Sequence, residues 1–132
     1  MKKKITAFVL TCSLSLAGST LLAQEATVRS VLSKDLTGVP GKEVTMLVVD
    51  YPPGGSSPAH THDAQAIVYV VEGTVVMQVK GSAPVTLTPG QTWYEGPDDV
   101  HVVSRNASTQ APAKYIVFQV KAKGTPILTP LK

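Results

Sequence analysis

Ala66-Ile67-Val68-Tyr69-Val70-Val71-Glu72-Gly73-Thr74-Val75-Val76-Met77-Gln78-Val79-Lys80 is two β-branched runs joined by Glu72-Gly73. Val, Ile and Tyr favour a pleated, half-buried surface, and Gly supplies the positive φ that a tight reversal needs. The stretch reads as a hairpin. Working outward, further strands are expected at 27–33, 43–51, 84–87, 91–95, 101–106 and 114–122, beside 66–71 and 74–80 of the hairpin itself. Gly- and Pro-containing turns separate them, such as Pro52-Pro53-Gly54-Gly55 and Gly96-Pro97-Asp98-Asp99. Nothing beyond Ala23 shows a 3.6-residue apolar period with helix caps. Many short strands at regular spacing predict an all-β sandwich or barrel.

The chain has 132 residues, room for one domain. Its formal charge of +3 looks like an invitation to nucleic acid. Lys2, Lys3 and Lys4 account for it, because the remaining nine basic residues face nine acidic ones. A neutral body gives no electrostatic case for a polyanion. The three lysines precede an apolar run from Ile5 to Gly18 and a small-residue stretch ending at Ala23, which reads as a signal peptide over 1–23. The run is too short and too rich in hydroxyls for a membrane span. The mature body, 24–132, is therefore expected to be one secreted or periplasmic domain, free of the membrane after cleavage. The single Cys12 falls in the leader, so the body uses neither disulfides nor thiolate chemistry.

Three histidines remain: His60, His62 and His101. On a strand, residues i and i+2 share a face, so His60 and His62 can project into one interior. His101 opens a later strand after the Gly96–Asp99 turn and can close on the same point. Neutral imidazole is the commonest nitrogen ligand for transition metals, and three leave open positions. The competing reading is three unrelated histidines that are hydrogen-bonded or at the surface. No GxSxG, phosphate loop or nucleophilic Cys offers another chemistry.

Gly54, His60-Thr61-His62 and Gly73, followed by Gly90 through His101, resemble the two motifs of the cupin superfamily in their order and spacing. The resemblance covers about residues 43–121. It implies a jelly-roll barrel of six or more strands with a metal in its lumen. The cofactor it implies is one divalent transition metal (Fe, Mn, Zn, Ni or Cu) held by His60, His62 and His101. The glutamate that usually completes the family's ligand set would fall at Ala66, and neighbouring Gln65 should face the other way. Asp98 takes the usual glycine slot of the second turn, where Asp tolerates left-handed geometry. A three-histidine shell without a carboxylate resembles cupin dioxygenases that cleave small chelating substrates. A non-catalytic ligand-binding or metal-binding sensor module is the alternative.

Strand parity nominates the pocket. Ala66, Val68 and Met77 should face the lumen, and Arg105 shares parity with His101 and is placed to meet a substrate anion. Glu95 and Glu72 are the nearest candidates in sequence for a carboxylate general base, but both lie at turns, where exposure is expected. The expected partner is a small-molecule ligand or substrate, and apolar strand faces on a neutral body point to a homodimer.

Overall fold

The computed structural model describes residues 24–132, so the signal peptide expected over 1–23 lies outside the described residues. Eleven strands run in chain order: β1 Thr27–Asp35, β2 Lys42–Tyr51, β3 Ser56–Ser57, β4 His60–Thr61, β5 Ala64–Glu72, β6 Val75–Val79, β7 Val85–Leu87, β8 Thr92–Glu95, β9 Val100–Asn106, β10 Ala113–Ala122 and β11 Thr129–Pro130. No helix occurs among the described residues. Two antiparallel sheets face each other as a jelly roll. One has the order β1-β2-β10-β5-β8; the other has the order β11-β4-β9-β6-β7, with β3 pairing β9 at its side. All eight strands read from the sequence are present, with ends shifted by at most two residues.

Alternation builds the inner wall. Thr45, Leu47, Val49 and Tyr51 of β2 are buried, as are Tyr115, Val117 and Gln119 of β10 and Ala66, Val68 and Val70 of β5. Each fully buried Val or Leu contributes about 1.5–3 kcal/mol of transfer free energy. Register then stacks the wall into rows. Leu47, Val117, Val68 and Trp93 form one apolar row across four strands. Two residues further along each strand, Thr45, Gln119, Ala66 and Glu95 form a row that is mostly polar. The apolar rows hold the sheets together; the polar row marks the level of the site.

The Glu72–Gly73 reversal demands glycine twice over. Gly73 has φ +71°, and a Cβ there would stand 2.4 Å from the Pro112 carbonyl oxygen. The second turn is made differently from expectation. No residue other than glycine has positive φ among the described residues, so Asp98 is not left-handed. The turn is closed instead by Asp99, whose N–H donates to the Gly96 carbonyl (3.2 Å) and whose carboxylate accepts from the Gly96 N–H (2.8 Å).

Arg105 is a second correction. In the β6–β9 pair, Gln78 opposes Val103 while Val79 opposes His101, so β9 carries one extra residue at this point. Such a bulge reverses strand parity. Ser104 and Asn106 therefore turn inward with His101, and Arg105 faces solvent. Asn106 organises the neighbouring loop: its amide donates to the Pro52 and Ala111 carbonyls, and its oxygen accepts from the Ser108 N–H.

Candidate metal centre

His60 of β4 and His101 of β9 are direct cross-strand partners, so the second sheet presents two imidazoles side by side. His62, in the short link to β5, turns back beside them, with its ring centroid 4.7 Å from that of His60. The first sheet answers with Glu95 at the end of β8. One nitrogen or carboxylate oxygen from each of His60, His62, Glu95 and His101 lies within 4.8 Å of all the others, and all four residues are buried. The structure thus brings the three sequence-nominated histidines together and adds a carboxylate.

Glu95 corrects the expectation of exposure: it is 2% exposed, whereas Glu72 does face solvent. A signal for it was present. Trp93 and Glu95 share parity on β8, so an inward Trp93 carries Glu95 inward too. Trp93 also packs on His101, ring centroids 4.9 Å apart, and so sets that imidazole's position.

Hydrogen bonds fix two of the tautomers. His60 Nδ1–H donates to the Pro58 carbonyl (2.8 Å), and His62 Nδ1–H donates to the Ile127 carbonyl (2.6 Å). A carbonyl only accepts, so both rings carry a proton on Nδ1 and direct Nε2 into the cluster; the Gln119 amide nitrogen, 3.0 Å from His62 Nδ1, gives its N–H to the same Ile127 carbonyl. Those Nε2 atoms stand 3.2 Å apart. His62 Nε2 is also 3.0 Å from one Glu95 oxygen, and His101 Nδ1 is 3.4 Å from the other. Both ring nitrogens of His101 and Glu95 Oε2 lack a hydrogen-bond partner.

Charge follows position. Burial alone would raise the Glu95 carboxyl, but the His101 and His62 rings outweigh it and bring it down to about 2. Burial pushes His60 down from its ordinary value. His62 is pushed up, because the Glu95 carboxylate overcomes the same burial. In the metal-free protein a proton on His62 therefore does part of what a cation would do. Orphaned buried donors, lone pairs facing one another and a carboxylate among them make a set that fits a divalent metal ion. His60, His62, Glu95 and His101 are the residues that would hold it.

Beside the cluster lies a cavity of about 40 Å³, space for about three water-sized groups. Leu47, Val49, Val68 and Val117 supply its apolar walls, with Tyr115 and Gln119 among the polar ones. Of the four pocket residues nominated by parity, Val68 lines this cavity. Ala66 and Met77 are fully buried in the core beside it, where Met77 Sδ accepts from Ser104 Oγ (3.4 Å), and Arg105 points away.

The last few residues complete the site. β11 pairs with β4, setting Pro130 opposite His60, and the Leu131 N–H donates to the Ala59 carbonyl. Ile127 and Leu128 line the cavity, and the Ile127 carbonyl accepts from Gln119 Nε2 (2.8 Å) as well as from His62. Lys121 anchors the start of this segment. Its ammonium is buried against Glu43 and donates to the Thr125 carbonyl (2.6 Å).

A family model described as a cupin domain matches residues 47–119. Germin-like protein 4-1 of Oryza sativa subsp. japonica is 33% identical over 104 residues, which are 76% of this chain and 41% of that protein. Germin-like protein subfamily 1 member 7 of Arabidopsis thaliana is 35% identical over 68 residues, 51% of this chain and 30% of that one. The chain spans less than half the length of these curated relatives. Among solved structures, a cupin domain from Bordetella pertussis Tohama I aligns with TM-score 0.61 and 19% identity, covering 77% of this chain and 99% of that one. The DMSP lyase DddQ from Ruegeria pomeroyi DSS-3 aligns at 0.65 and 21%, covering 89% and 59%. A recombinant oxalate oxidase in complex with glycolate aligns at 0.63 and 23%, covering 92% and 62%. At such identities the structural likeness speaks for the fold alone.

Proposed function

The chain belongs to the cupin family, and from that premise we propose that it is a metal-dependent enzyme of dioxygenase type acting on a small chelating substrate. The observation that carries this reading is the buried His60–His62–Glu95–His101 cluster, with unpartnered donor atoms, opening onto a small apolar cavity. A divalent transition metal bound there would supply Lewis acidity and a template for substrate oxygens and O₂.

The chain's own residues do the rest. The Pro58 and Ile127 carbonyls hold His60 and His62 in the tautomer that offers Nε2. Leu47, Val49, Val68 and Val117 exclude water around the cluster. Glu95 is the one carboxylate lining this cavity, and it is engaged with His62 and His101. Among the described residues no second carboxylate lines this inner cavity, which favours oxidative chemistry over isomerisation by proton shuttling.

Secretion or periplasmic residence belongs to the same proposal and rests on the 1–23 leader. So does a homodimer, supported by the exposed outer face of Ile67, Tyr69, Val71, Tyr94, Phe118 and Val120. Light scattering tests the dimer. Metal analysis of protein purified without a histidine tag tests the centre. One redox-active ion per chain, with O₂ consumed in the presence of small diketones or thiols, supports the enzyme. Tight zinc without turnover would replace it with a binding module.

A further inference from the structure

Two cavities share a wall. The inner one holds the four-residue cluster, and an outer vestibule of about 110 Å³ adjoins it. Val28, Ser57, His60 and Leu128 line both, so the vestibule is the approach to the cluster.

Charge along this approach is one-sided. Among the described residues, no Lys or Arg lines either cavity; the charged side chains there are Glu25 in the vestibule and Glu95 in the cluster. Of the cations outside the cavities, Arg105 lies on β9 opposite the vestibule residue Ser56 and faces solvent, and others are held in ion pairs. Lys121 is bound to Glu43 and the Thr125 carbonyl, and Arg29 and Lys114 pair with Asp50. Three neutral imidazoles and one carboxylate around a divalent ion leave a net charge of one positive unit. A bidentate monoanion cancels it. A dianion of the same shape leaves an uncompensated negative charge against Leu47, Val49, Val68 and Val117, where desolvation is costly.

We propose that the site takes small bidentate monoanions in preference to dianions of the same shape, with the cation-free walls and Glu25 at the entrance as the selecting features. This rests on the cluster being a metal site.

Oxalate and oxamate test it, since they share a shape and differ by one charge. Protein loaded with Co(II) is titrated with each, following the visible spectrum and the heat, and aqueous Co(II) is titrated in parallel. The protein should lower the oxalate-to-oxamate affinity ratio about tenfold or more below that of the aqueous ion. E25Q should recover several-fold of the oxalate affinity and raise oxamate affinity by a smaller factor, because a single charge feels about half the repulsion. A ratio equal to or above the aqueous one overturns the proposal while leaving the metal site standing. Co(II) bound with neither anion joining it overturns the proposal together with the open chelating site. Failure to bind Co(II) at all removes the metal reading on which both depend.

Discussion

Glu95 stands directly across the β5–β8 strand pair from Ala66, and Gln119 stands across from Ala66 on the other side. The family's usual glutamate position thus holds the smallest side chain of the row, and the carboxylate enters from the neighbouring strand. Direct cross-strand partners have Cβ atoms only about 4.5–5.5 Å apart, so either strand can deliver a carboxylate to one point.

That equivalence predicts a swap. E95A should lose metal affinity by about 100-fold or more. A66E alone should not improve binding, because a second carboxylate would be forced against Glu95 inside the barrel, costing about 2–4 kcal/mol of stability. The double variant A66E/E95A restores one carboxylate and should return metal affinity to within about tenfold of the native protein. Isothermal titration with Zn(II) and urea unfolding of all three variants decide it. No recovery in the double variant would mean that residue 66 cannot reach the cluster.

The histidines make a simpler expectation. H60A, H62A and H101A should each abolish stoichiometric metal binding while the barrel persists, since the apolar rows rather than the imidazoles hold the sheets. Atomic absorption after mild chelation measures occupancy, and circular dichroism reports the fold. Full occupancy in any one variant removes that residue from the ligand set.

Much of this architecture is legible in the sequence because β-branched alternation and glycine turns are local signals. Val68, Val70 and Val75 announce their burial through parity alone. The site is legible only as far as local spacing reaches. His60 and His62 are two residues apart, so their common face can be read directly. Glu95 becomes a neighbour of Ala66 only through strand register, which is set by the whole sheet. A single extra residue in β9 turns Arg105 outward, and no composition signal marks that bulge. Ile127 contributes through its backbone carbonyl, which carries no residue-specific signature.

Acid and base should act on the metal-free protein in opposite directions. Glu95 has its ordinary value of 4.5 lowered to about 2, so the stability it contributes is present above pH 4.5 and is lost as pH falls toward 2. The amount is on the order of 3 kcal/mol. His62 is raised from 6.5, so its contribution is complete below pH 6.5 and fades as pH climbs through the raised value. His60 is lowered from 6.5, so its contribution is complete above pH 6.5 and shrinks as pH falls below it, and stability in the presence of EDTA should therefore peak near pH 6.5. Urea midpoints at pH 3, 6.5 and 8 check this, with E95Q flattening the acid side of the profile and separating it from the Glu43–Lys121 pair. A native profile that keeps rising to pH 8 would contradict the charged His62–Glu95 pair.

The C-terminal segment should govern the metal site without contributing a side-chain ligand to it. The Ile127 carbonyl holds the Nδ1 proton of His62, and β11 zips onto the strand that carries His60. Deleting residues 127–132 removes both restraints but spares Lys121, Glu43 and the Thr125 carbonyl that anchors them. His62 is then free to protonate at either nitrogen and to rotate. Loss of such outer support typically costs 10–100-fold in metal affinity, and the truncated protein should fall in that range with its first sheet intact. Nitrogen NMR of the His62 ring distinguishes the cause from general loosening. The full chain should show a single Nδ1-protonated tautomer at high pH, and the truncated chain a mixture. Weaker binding with the tautomer unchanged would assign the effect to strand pairing at β4 and not to the Ile127 carbonyl.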